Sequence, residues 1–165
     1  MNYKDFIKAL KSKKLKSVYL FYGEEEYLID HSLKLVKKTF IDKSFEPLNY
    51  IELEGEDLEF DIIMNACESL PFMSEKKIVI IKDFPLFKSK KEEEKTKASK
   101  DPIVNYIETL EDYIILIFVE KTKSVRKSNV LYKRINKFGD AVEFTKLKGR
   151  DLDKWIVDSF KKHNI

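Results

Sequence analysis

The sequence predicts a three-layer α/β sandwich built on a mostly parallel sheet of about five strands. Two observations lead there. Short β-favouring segments alternate with helical stretches along the chain, the pattern of an α/β fold. Three of those segments, residues 18–22, 78–81 and 114–119, are apolar at every position. A strand apolar on both faces belongs in a parallel sheet covered by helices on each side, with right-handed crossovers assumed.

Taken in order, residues 3–14 place Tyr3, Phe6, Ile7 and Leu10 at helical spacing. The first strand, 18–22, ends at Gly23, and a helix is expected from about 25 to 40 with Leu28, Leu33, Leu35, Val36 and Phe40 apolar. Residues 48–53 read as a second strand, 60–69 as a helix and 78–81 as a third strand. A short helix over 102–110 begins at Pro102, with Asp101 as N-cap. The fourth strand, 114–119, is followed by a basic helix over 126–138 that stops at Gly139. Residues 141–144 form a fifth strand, and Asp151 caps a last helix through Lys162.

The 165 residues are 43% hydrophobic and 37% charged, which suits one globular domain with a real core. No apolar run reaches the ~18–20 residues of a membrane span, and the charged, amphipathic start does not resemble a signal peptide. The single cysteine, Cys67, excludes an internal disulfide and fits a reducing cytoplasm. It is expected as a small buried hydrophobe. Together with His31 and His163 it is too little for a zinc cluster, and no cofactor is expected. Net charge is only +3, so overall charge does not declare a nucleic-acid binder. Arg126, Arg134 and Arg150 are the only arginines in a lysine-rich chain, the bias of an AT-rich genome. Residues 88–100 contain no large apolar side chain and are expected as a solvated loop.

The turn after the first strand is where such a fold holds phosphate. Here it reads Tyr22-Gly23-Glu24-Glu25-Glu26-Tyr27. A phosphate loop needs several glycines, a lysine for the β/γ-phosphates and a Ser/Thr for magnesium. This turn has one glycine, no lysine and three glutamates. The carboxylates repel a triphosphate and suit the start of the next helix, where they act as caps; a metal site from Glu24, Glu25, Glu26 and Asp30 is disfavoured because adjacent helical residues diverge. No nucleophile elbow or metal-hydrolase motif is present, and His31 reads as a surface or boundary residue rather than a general base.

Four blocks resemble the bacterial DNA polymerase III delta subunits. They are residues 18–30 (VYLFYGEEEYLID), residues 70–82 (LPFMSEKKIVIIK), residues 116–120 with Lys127 and 131–133, and residues 141–144 and Leu147 with Asp151, Leu152, Trp155 and Ile156. The resemblance implies an AAA+-like fold with a degenerate nucleotide site and no catalysis by the chain itself, although the family belongs to a nucleotidyltransferase holoenzyme. It implies a clamp-binding N-terminal domain over 1–147 and the start of a helical lid domain over 148–165. A collar domain lies outside these residues, so a truncated chain is expected. The partners it implies are the sliding clamp (the beta subunit), the tau/gamma and delta prime subunits in the full-length protein, and DNA in the assembled complex, all in the bacterial cytoplasm with no membrane.

The family places its clamp contact in the loop before the third strand, which here is Leu70, Pro71, Phe72 and Met73. Pro71 removes Leu70 from helical geometry, so the following residues form a short apolar ridge. The alternative is that Phe72 and Met73 fold back into the core. Lys121, Lys123, Arg126, Lys127, Lys133, Arg134 and Lys137 are candidates for contact with DNA phosphates, against the alternative of a solvated helix face. Two rival functions are an NTPase with an unusual phosphate site and a DNA-binding module using the basic helix.

Overall fold

In the strands of this chain successive side chains go to opposite faces of the sheet, and both faces are covered. The computed structural model describes residues 1–88, 101–122, 125–146, 154, 157 and 158. Its helices are α1 (Tyr3–Lys11), α2 (Glu26–Phe40), α3 (Glu46–Asn49), α4 (Phe60–Glu68), α5 (Pro102–Tyr106) and α6 (Val130–Phe138). Its strands are β1 (Val18–Gly23), β2 (Tyr50–Glu54), β3 (Lys77–Lys82), β4 (Ile114–Glu120) and β5 (Asp140–Phe144). The five strands form one sheet in the order β2-β3-β4-β1-β5, and every pairing is parallel.

β1, β3 and β4 are buried along almost their whole length, as their unbroken apolar runs require. Tyr19, Phe21, Ile78, Ile80, Ile115 and Ile117 pack on one face with Phe6 and Leu10 of α1 and Leu28, Ile29, Leu33 and Val36 of α2. Leu20, Val79, Ile81, Leu116 and Phe118 pack on the other with Ile63 and Cys67 of α4, Ile103 and Val104 of α5, and Leu131 and Ile135 of α6. The three layers are therefore present. Phe6 anchors the first face, its ring edge-on to Tyr19 at 5.4 Å and to Phe21 at 4.8 Å, a geometry that ring quadrupoles favour.

The first helix ends at Lys11 rather than at 14, and three further elements differ from the sequence expectation by more than one residue. The second strand begins at Tyr50 rather than at 48, because residues 46–49 form the single turn α3 with Pro47 in its first turn. The basic helix begins at Val130 rather than at 126. Asn129 caps it, accepting from the Tyr132 N–H at 3.0 Å and donating to the Leu86 carbonyl at 2.7 Å, while Val125 is buried ahead of it. The short helix over 102–110 is α-helical only to Tyr106 and tightens to a 3₁₀ turn over Ile107–Thr109; Asp101 caps it as expected. The low-complexity loop beyond Lys88 and the helix expected after Asp151 lie outside the described residues, apart from Lys154, Val157 and Asp158.

Candidate functional site

Parallel strands put every strand's entry at one edge of the sheet and every exit at the other. The ridge residues precede β3 and the phosphate turn follows β1, so the two candidate sites lie at opposite edges.

α4 ends at Glu68, and Ser69 already has an extended backbone, φ −67° and ψ 130°. The break thus falls two residues ahead of Pro71. Leu70 is 73% exposed, Phe72 52% and Met73 70%, whereas Pro71 is half-buried. These side chains point outward and do not fold back into the core. The Phe72 ring rests edge-on against Phe45 at 5.5 Å. Asn49, buried at the end of α3, accepts from the Phe72 N–H and donates to the Phe72 carbonyl, both at 2.7 Å. Sequence reasoning missed Phe45 and Asn49, and also Leu48, which is exposed beside Asn49. The only local signal was an apolar pair flanking Glu46-Pro47, of which Leu48 was assigned to the second strand and Phe45 to no element.

At the opposite edge, Gly23 has φ +137°, a backbone region that glycine alone occupies readily. A Cβ there would lie 2.3 Å from the Phe144 carbonyl oxygen. The glycine therefore serves the close approach of β5, with which Gly23 pairs, and phosphate access is not needed to explain it. Two of the turn's donors are already engaged: Glu25 N–H donates to the Phe144 carbonyl at 3.4 Å and Glu26 N–H to the Glu24 carbonyl at 2.9 Å. The expected capping is corrected in one respect. Glu25 occupies the N-cap of α2 without a side-chain cap bond, and Glu26 is the acidic residue of the first turn. Asp30 pairs with Lys121 at 3.1 Å. Among the described residues no cluster of acids, histidines or cysteines is arranged to hold a metal.

His31 is half-buried and stacks on Tyr27 at 6.2 Å. Cys67 is buried, and burial raises its thiol to about 12, so it stays protonated and inert. Glu120, at the exit of β4, is 1% exposed and accepts the Phe84 N–H at 2.8 Å. Burial raises its carboxyl from 4.5 to about 7; the Phe84 N–H and Lys88 pull it down, and Asp83 pushes it up.

The basic candidates do not form one face. Arg134 donates to the Val104 carbonyl and to Glu108, both at 3.0 Å, and lies over the Phe138 ring at 5.1 Å. Lys121 is paired with Asp30. Lys123 lies outside the described residues. Arg126 and Lys127 precede α6, while Lys133 and Lys137 lie one turn apart on it, and these four are exposed.

The fold and these two sites define a three-layer α/β domain on a five-stranded parallel sheet, with a single-glycine acidic turn where β1 exits and an apolar ridge where β3 enters. The family model described as DNA polymerase III, delta subunit, matches residues 19–145. The chain belongs to that family. It is 24% identical over 157 residues to a DNA polymerase III subunit delta of Bacillus subtilis, covering 95% of this chain and 45% of that protein. The chain thus spans about half the length of the curated relative it matches. The solved Bacillus subtilis DNA clamp loader delta protein superposes with a TM-score of 0.79 at 23% identity, over 98% of this chain and 48% of that one. A DNA polymerase III gamma subunit-related protein of Thermotoga maritima gives a TM-score of 0.56 at 17% identity, over 95% and 52%. Both similarities concern the fold. Among the described residues no helix is long and apolar enough to cross a membrane.

Proposed function

We propose that this chain is the clamp-gripping domain of a clamp-loader subunit: it binds the sliding clamp through Leu70, Pro71, Phe72 and Met73 and helps open it without hydrolysing nucleotide. The observation that carries this reading is that three large apolar side chains, Leu70, Phe72 and Met73, are held outward on a loop whose backbone is anchored. Exposed apolar patches mark contact surfaces, and a few such anchors commonly supply most of an interface's energy. Met73 adapts its shape to a partner pocket. The action is mechanical: a bound domain shifts the clamp toward an open ring only by its higher affinity for that form. Calorimetric titration of the sliding clamp encoded by the same genome tests the reading, and absence of binding overturns it.

The engaged Glu25 and Glu26 N–H groups and the three glutamates of the phosphate turn support a non-catalytic role. Addition of magnesium-ATP is expected to leave the melting temperature unchanged, since a ligand that binds only the folded state raises it. A rise measured by scanning fluorimetry would favour the NTPase reading.

In the same reading, residues 1–147 form the clamp-binding domain and 148–165 begin the lid. Tau/gamma and delta prime join the full-length protein in the cytoplasm. DNA contact falls to the exposed Arg126, Lys127, Lys133 and Lys137 rather than to Arg134 or Lys121, whose charges are already paired. Reversing Lys127, Lys133 and Lys137 together is expected to flatten the slope of log affinity against log salt by about 2–3, at roughly 0.9 per phosphate contact. An unchanged slope in fluorescence anisotropy would assign those lysines to solvent alone.

A further inference from the structure

The ridge has no regular secondary structure, yet its backbone is held at two points. The first is Asn49. Its Oδ1 accepts from the Phe72 N–H at 2.7 Å, and its Nδ2 donates to the Phe72 carbonyl at 2.7 Å and to the Phe45 carbonyl at 3.0 Å. One buried carboxamide thus meets both backbone groups of Phe72, as a neighbouring strand would, and ties them to the turn that carries the Phe45 ring. The second point is Ser74, whose Oγ lies 2.8 Å from the carbonyl oxygens of Phe40 and Lys76. Between them Met73 has φ +54°, a left-handed conformation that a non-glycine residue keeps only where its surroundings impose it.

We propose that Asn49 is the positioning residue of the ridge. Fully buried and out of a partner's reach, it fixes the Phe72 backbone so that Leu70, Phe72 and Met73 are presented in their binding arrangement before the clamp arrives. This rests on the ridge being the clamp-contact surface. A partner that recognises one arrangement binds more weakly in proportion to the fraction of molecules that adopt it, so releasing the loop lowers affinity without removing any contact atom.

The test is calorimetric titration of the sliding clamp from the same genome into the whole chain, its Phe72→Ala and Asn49→Ala variants and the double variant. The temperature is set where circular dichroism shows all four folded. Asn49→Ala is expected to weaken binding roughly ten-fold, and to weaken it less when Phe72 is already alanine, because Asn49 acts through that residue. Wild-type affinity for Asn49→Ala beside a weakened Phe72→Ala overturns the proposal and leaves the ridge reading standing. Wild-type affinity for Phe72→Ala overturns the ridge reading itself. If Asn49→Ala does not fold, hydrogen exchange on the wild-type chain decides. The Phe72 amide is expected to be protected by roughly ten-fold or more against an unstructured amide, and exchange at the unstructured rate overturns the proposal.

Discussion

Replacing Phe72 by alanine is expected to weaken binding to the sliding clamp roughly four- to ten-fold while leaving the fold intact. About half of the Phe72 surface is already covered, in part by Phe45, and half is open. Fully burying an aromatic or aliphatic side chain is worth about 1.5–3 kcal/mol, so the open half of Phe72 supplies about 0.8–1.5 kcal/mol, and each 1.4 kcal/mol or so is a factor of ten in affinity. The cost to the free chain is smaller. It loses one edge-on ring pair, worth about 0.5–1.5 kcal/mol, and keeps the Asn49 bonds, which involve only the Phe72 backbone. Titration calorimetry beside thermal melting separates the two effects. Tyr27→Ala is the control, because Tyr27 is comparably exposed but follows β1 and so lies at the opposite sheet edge. Equal affinity of wild type and Phe72→Ala would remove Phe72 from the contact.

The second large effect is on stability and comes from Glu120. Its folded carboxyl titrates near 7 instead of 4.5, chiefly because it is buried. Below 4.5 both folded and unfolded chains carry the proton, so the group has no differential effect. Between 4.5 and about 7 the unfolded chain releases the proton and the folded chain retains it. The folded state then binds more protons, and stability falls as pH rises through that window. Above it the full cost, about 3 kcal/mol, is present. Glu120→Gln retains a neutral carbonyl to accept the Phe84 N–H and has nothing to ionise. The variant is therefore expected to unfold at higher urea than wild type at pH 8, with the gap closing by pH 4. Parallel wild-type and variant profiles across that range would show that the Glu120 carboxyl titrates normally.

The two effects share a cause that the sequence alone does not display. The Phe72 backbone is held by Asn49, 23 positions earlier. Glu120 matters because Phe84, 36 positions earlier, brings an N–H to it inside the fold. Such pairs are set by the packing of β2, β3 and β4 side by side, and no periodicity in either segment encodes the partner. The same limit explains the basic stretch. As a string, residues 121–138 hold seven positive charges and no acid. In the fold Glu108 and Asp30 arrive from other elements and take up Arg134 and Lys121.

Leu48 shows a local form of the problem. Residues 48–53 hold Leu48, Tyr50, Ile51 and Leu53 and read along the chain as one strand. Pro47 and the Asn49 bonds to Phe45 and Phe72 instead hold residues 46–49 in a helical turn. Tertiary hydrogen bonds outweighed local propensity there, as they routinely do in short segments.

The sequence by itself determined that this is a helix-covered sheet, because 18–22, 78–81 and 114–119 have no polar position that could face water. It also determined that the turn after β1 lacks the glycines and lysine a triphosphate needs. Only the tertiary structure decided the strand order, the reason for Gly23 and the outward display of Leu70, Phe72 and Met73. Burial periodicity is a property of neighbouring residues and can be read along the chain. Strand adjacency, the approach of β5 to Gly23 and the hold of Asn49 on Phe72 join residues far apart in sequence, and they exist only once the layers have packed.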